Sequence, residues 1–114
     1  MSDPLQQVVG KQLSAVTFVQ DYLQLHFDGP TLNAMTVVTV ITPKGFAKMG
    51  DDQFRNLLCS CITKQVSRIE FMDQEALVLH FDDCSLVTVS LRGEDYRGAE
   101  AVTFHGAKNE ILAI

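Results

Sequence analysis

Large apolar residues at alternate positions mark two short stretches that are nearly the same, Leu23-Gln24-Leu25-His26-Phe27-Asp28 and Leu77-Val78-Leu79-His80-Phe81-Asp82. Each places three large apolar side chains on one face of a strand and its His and Asp on the other. Upstream, Val16 and Phe18 alternate with Thr17, and Ile69 and Phe71 with Glu70, which predicts a half-buried strand before each stretch. Gln20-Asp21 and Asp73-Gln74-Glu75 read as polar turns between the two strands. Phe27-Asp28-Gly29-Pro30 and Phe81-Asp82-Asp83-Cys84 read as turns into a third strand, since Asp and Gly tolerate the left-handed backbone of a tight hairpin. The third strands, about 32–41 and 86–91, are rich in Val and Thr and lose clean alternation, so both of their faces are expected to be covered in part. Ala76 and Val78 make the reverse side of the second copy apolar as well. A helix, a second sheet or another subunit must cover them.

The likeness extends beyond these strands. Aligning residues 11–32 with 64–86, and skipping one residue near Glu75, gives 10 identities in 22 positions. Residues 3–9 predict a short helix, with Asp3 as N-cap, Pro4 at the first helical position and Gly10 as stop. The second copy predicts a longer one from Asp51 or Asp52 to about Ile62, with Phe54, Leu57, Leu58 and Cys61 on one face. Both run into a matching pair, Lys11-Gln12 and Lys64-Gln65. The expected architecture is α+β: a tandem duplication of a helix plus a three-stranded antiparallel meander, about 3–42 and 51–91, in a pseudo-two-fold arrangement within a single domain. Residues 43–50 form the linking loop, although Phe46 and Met49 are too apolar to be left in water. After a charged loop at 92–98, residues 99–114 are expected to fold as a closing hairpin around His105.

Composition narrows the function more by exclusion than by assignment. At 114 residues, with 46% apolar and 20% charged residues, the chain can bury a core and is not disordered. A net charge of −5 disfavours nucleic-acid and anionic-membrane binding, both of which need basic surfaces. Its most apolar run, 34–41, is too short to span a bilayer, and Met1-Ser2-Asp3-Pro4 does not read as a secretion signal. Cys59, Cys61 and Cys84 cannot all pair within the chain, which points to a reducing, cytoplasmic setting.

The repeated His-x-Asp is the sharpest chemical candidate. His26 and Asp28 share a strand face, as do His80 and Asp82, and two imidazoles with two carboxylates would suit zinc or another divalent metal if the copies converged. The plainer reading makes each His a solvent-side residue and each Asp a turn residue. Cys59-Ser60-Cys61 on a helix points in different directions and is no metal or redox pair. Cys84 stands where the first copy has Pro30, so the repeat does not require a thiol there. Tyr96 and Arg97, in the charged loop, and the 44–48 segment are candidate partner surfaces. No cofactor motif is present.

The pattern Leu-x-Leu-x-Phe-Asp-Asp at 77–83, looser at 23–29, with Asp95-Tyr96-Arg97-Gly98-Ala99-Glu100-Ala101 and Phe104, resembles hairpins of small, mostly uncharacterised bacterial β-rich proteins. Some of those look like immunity or accessory proteins. The resemblance implies the fold and no particular functional residue. Taken together, the expected protein is a non-enzymatic cytoplasmic bacterial interaction or accessory module, self-associating as a homodimer through the apolar reverse face. The alternative is a small-molecule or divalent-metal-binding domain with its site between the two repeats.

Overall fold

The computed structural model describes residues 4–108 and 110–114, so the expected caps and strand starts at Asp3 and Asn109 lie outside the described residues. The fold is two five-stranded antiparallel sheets. One contains β1 (Ala15–Phe18), β2 (Leu23–His26), β3 (Thr31–Ala34), β9 (Val102–His105) and β10 (Ile111–Ala113), in the order β1-β2-β3-β9-β10. The other contains β4 (Val38–Thr42), β5 (Gly45–Lys48), β6 (Val66–Met72), β7 (Ala76–Phe81) and β8 (Leu86–Ser90), in the order β5-β4-β8-β7-β6.

The expected α+β class gives way to a mostly β protein. Among the described residues the helices are α1 (Phe54–Cys59) and short 3-10 turns at Pro4–Val8 and Gly93–Asp95. The second helix is shorter than expected, and neither Asp51 nor Asp52 caps it. Asp51 accepts the Lys48 backbone N–H at 2.8 Å, and Gln53 starts α1 with no side-chain cap. Tight i to i+3 bonds then carry the chain through Cys61 and Ile62 to Thr63, whose positive φ of 82° ends it.

The expected third strand over 32–41 is two strands in different sheets. The chain leaves one sheet after Ala34 and enters the other at Val38. The buried Thr36 between them donates its hydroxyl to the Ser90 carbonyl at 2.5 Å. The expected linker loop at 43–50 contains β5, which turns back on β4 through Pro43-Lys44. The closing hairpin forms as β9 and β10 and completes the first sheet, while the β4–β5 hairpin completes the second.

Loop lengths explain the irregularities of the alignment. Gln74, at φ 61°, makes the β6–β7 loop one residue longer than the Gln20-Asp21 turn, which accounts for the residue skipped near Glu75. The β2–β3 turn is a two-residue Asp28-Gly29 loop with both φ positive, closed by the Phe27 N–H on the Pro30 carbonyl at 2.9 Å. Its counterpart is the three-residue loop Asp82-Asp83-Cys84, with Cys84 at φ 72°. The extra residue shifts the third strand by one. Leu25 therefore pairs with Leu32, but Leu79 pairs with Val87 rather than Leu86. The sequence matches Leu32/Leu86, Thr31/Ser85 and Pro30/Cys84 are thus displaced by one position in space.

With that shift included, the ladders correspond. Leu32 faces Phe104 and Phe104 faces Leu112; Val87 faces Val40 and Val40 faces Ala47. Where the sheets meet, Gln12 and Gln65 bridge each other. Around them the N–H of Leu13 donates to Lys64 and that of Val66 to Lys11. The N–H of Gly10 donates to Val66 and that of Thr63 to Leu13. Exchanging 10–13 with 63–66 turns each of these bonds into its counterpart.

The core is one hydrophobic cluster fed by both sheets, with Leu23, Leu25, Phe27, Leu77, Leu79 and Phe81 at its centre. Alternation then turns Gln24, His26, Ile41, Phe46, His80 and Leu86 to the outer faces.

Candidate functional site

The repeated histidines lie in different sheets, each next along its strand to a core leucine and so turned away from the shared core. His26 Nε2 lies 2.9 Å from Thr17 Oγ1, and its Nδ1 lies 3.4 Å from Thr31 Oγ1. His80 Nε2 lies 3.0 Å from Glu70 Oε1, and Arg68 reaches the same oxygen at 3.9 Å. Thr17 and Glu70 are aligned positions, so the two imidazoles are held alike by different chemistry. Among the described residues neither Asp28 nor Asp82 bonds its histidine through its carboxylate. Asp28 occupies the tight turn with its N–H on Ser14 Oγ, and Asp82 gives its N–H to Gln65. No group of three or more His, Cys, Asp or Glu side chains among the described residues could hold a metal ion. A carboxylate holding an imidazole is half of a general-base arrangement, but no hydroxyl or thiol is bonded to the His80 ring among the described residues.

The thiols divide by burial. Cys59 and Cys84 are exposed. Cys61 is buried at the end of α1, and burial, with the Asp83 charge adding to it, pushes its thiol up to about 11. At neutral pH it is protonated and a poor nucleophile.

The charged loop separates its two candidates. Tyr96 packs against the core and borders a shallow depression with Arg92 and Glu94. Arg97 is exposed and reaches toward the β1–β2 turn, where it lines a groove of about 370 Å³. Phe18 and Tyr22 from the first half and Met49 and Arg55 from the second also line it. Ser90 Oγ bonded to Asp95 at 2.5 Å and the Arg92–Glu75 ion pair at 3.5 Å anchor the loop on the second sheet.

The reverse face at Ala76 and Val78, expected to be covered by a helix, a second sheet or another subunit, is closed within the single chain: the two residues are 9% and 6% exposed. Of the two residues expected not to lie entirely in water, Phe46 is 76% exposed, whereas Met49 packs on the core. Across the outer face of the second sheet Phe46 stands opposite Ile41, Ile41 opposite Leu86 and Leu86 opposite His80. Ile41 is 42% exposed. The equivalent row of the first sheet reads Ile111, His105, Thr31, His26.

The sequence reaches Phe46 only as part of the 44–48 candidate partner surface, and it offers no signal for Arg55. Pro43, Gly45 and Gly50 made the 43–50 segment read as loop, and only strand pairing reveals that Phe46 and Ile41 are neighbours. No family model, curated protein or solved structure matches the chain.

Proposed function

We propose that this chain is a non-enzymatic interaction module of the small bacterial accessory type, acting in the cytoplasm and self-associating through the outer face of its second sheet. The carrying observation is the cross-strand row Phe46, Ile41 and Leu86, an apolar surface on a face that the chain itself leaves open at Phe46. Contiguous exposed apolar surface is where soluble proteins meet partners, and a two-fold dimer buries the same patch on both copies. We read the chain as a tandem duplication with a pseudo-two-fold axis near Gln12 and Gln65. The exchangeable hydrogen bonds there support that reading, as do the matched ladders. Sedimentation velocity over a micromolar concentration series tests the function. Reversible association that Phe46→Glu abolishes is the expected result; a monomer at every concentration would remove self-association.

A second reading, a small-molecule-binding domain with its site between the repeats, is favoured by the groove at Arg97. That groove takes lining residues from both halves of the chain.

A further inference from the structure

Two charged residues that line this groove, Arg97 and Asp52, have no aligned counterpart in the other half. Between Thr36 and Val38 the first half needs a single residue, whereas the second half runs from Leu91 to Val102 and uses that extra length to deliver Arg97. The connection after β5 supplies Asp52, and the first turn of α1 supplies Arg55. Leu23, Ala34 and Phe54, all buried, form an apolar base. Among the described residues, Arg55, Arg97, Asp21 and Asp52 make no ion pair or side-chain hydrogen bond, although charges of both signs line one small concavity. Asp51 is different, because its carboxylate is engaged by the Lys48 N–H.

From this geometry we infer that the groove binds an amphoteric ligand with an apolar side group, an α-amino acid or a dipeptide. Its carboxylate meets the guanidinium groups of Arg55 and Arg97, its ammonium meets Asp21 and Asp52, and its side group lies on the Leu23–Phe54 base. A guanidinium takes a carboxylate in two parallel hydrogen bonds. A purely anionic ligand would meet Asp21 and Asp52 unfavourably, and a purely cationic one would meet both arginines. The volume, about 370 Å³, is near the lower end for ligand pockets and suits a molecule of this size. Because the charged groups are solvent-exposed, each contributes modestly and binding weakens with salt.

This inference rests on the second reading above and is independent of self-association. The test is an NMR titration of the full chain at neutral pH with L-phenylalanine, N-acetyl-L-phenylalanine and L-phenylalanine amide. L-Phenylalanine is expected to shift the amides of 18–23, 49–55 and 97, and to bind at least about fivefold more tightly than either singly charged analogue. Arg97→Ala and Asp21→Ala, both exposed, should each weaken it by about fivefold, while Arg68→Ala, outside the groove, should not. Equal or tighter binding of either analogue, insensitivity to both groove variants, or no shift with any probe would overturn the inference. Groove shifts that depend on protein concentration alone would overturn it too, because they would mean that a second copy fills the groove. Sedimentation of the same samples reads self-association separately, so either idea can fail without the other.

Discussion

The outer faces of the two sheets are built on the same ladder and finished with different residues. Across the first run Ile111, His105, Thr31 and His26; across the second, Phe46, Ile41, Leu86 and His80. One row further along, Asn33 donates to Thr103 at 3.0 Å on the first face, where the second has Thr88 and Thr39. Gln24 there corresponds to the buried Val78. The inward residues of the central strands are the same, Leu23, Leu25 and Phe27 against Leu77, Leu79 and Phe81. The flanking inward rows differ, Leu32, Phe104 and Leu112 against Val87, Val40 and Ala47. Along the outward row the second sheet carries Phe46, Ile41 and Leu86 where the first carries Ile111, His105 and Thr31. The halves agree most closely in their central strands and part in the flanking rows, inside as well as outside.

The largest expected effect tests the shared part. Phe27→Ala and Phe81→Ala each empty a fully packed site and should each cost about 3–5 kcal/mol by urea denaturation. If either midpoint matched the wild type, the two halves would not share a core position. The next effect belongs to the second half alone. The raised Cys61 thiol favours the protonated folded state, so its contribution is complete below the unfolded value near 9 and is lost as pH rises toward about 11. Stability should fall by up to about 2–3 kcal/mol over that window, and Cys61→Ala should flatten that decline. An equal fall in the variant would place its cause elsewhere.

Backbone strain separates the halves more finely. Gly10 and Thr63 are equivalent and nearly identical in φ, at 86° and 82°, but only the glycine adopts that conformation freely. Thr63→Gly should stabilise by about 1 kcal/mol, and Gly10→Thr should destabilise by a similar amount. Space at Gly10 is not the obstacle, since the nearest atom to an added Cβ is 4.0 Å away. Thermal melts giving the same sign for both would break the equivalence. Smallest of all is the partner of the histidine. Glu70→Thr, which copies Thr17, replaces a half-exposed Glu70–His80 contact and should change stability by no more than about 1 kcal/mol.

Much of this was legible in the chain. Alternation of Leu23, Leu25 and Phe27, and of Leu77, Leu79 and Phe81, gave the central strands and their inward faces correctly, because period-two burial is a local property. The closing hairpin and the Asp-Gly turn were legible for the same reason. Hidden was everything decided between distant segments. The crossing at Met35-Thr36-Val37 sits inside a continuous Val/Thr run, and nothing local says that Ala34 and Val38 belong to different sheets. The one-residue shift at Cys84 needs the turn geometry, which depends on a positive φ that Cys seldom adopts. The candidate site was less visible still. His26 and His80 stand out by exact repetition, yet they lie on the outer faces of different sheets. Arg97 was named from a loop whose reach to the β1–β2 turn no spacing rule encodes. Pro43 and Gly45 make the stretch around Phe46 resemble a loop and so mask its strand.

Parallel substitutions at equivalent edge positions test the specialised surface most directly. Phe46 and Ile111 are 76% and 70% exposed and occupy the same place in the two ladders, so replacing either by Glu removes a similar solvent-facing side chain. Sedimentation equilibrium at micromolar concentration should show a self-associating wild type, an Ile111→Glu variant that still associates, and a monomeric Phe46→Glu variant. Equal loss in both variants, or a wild type that is monomeric throughout, would contradict the assignment of the contact to the second sheet.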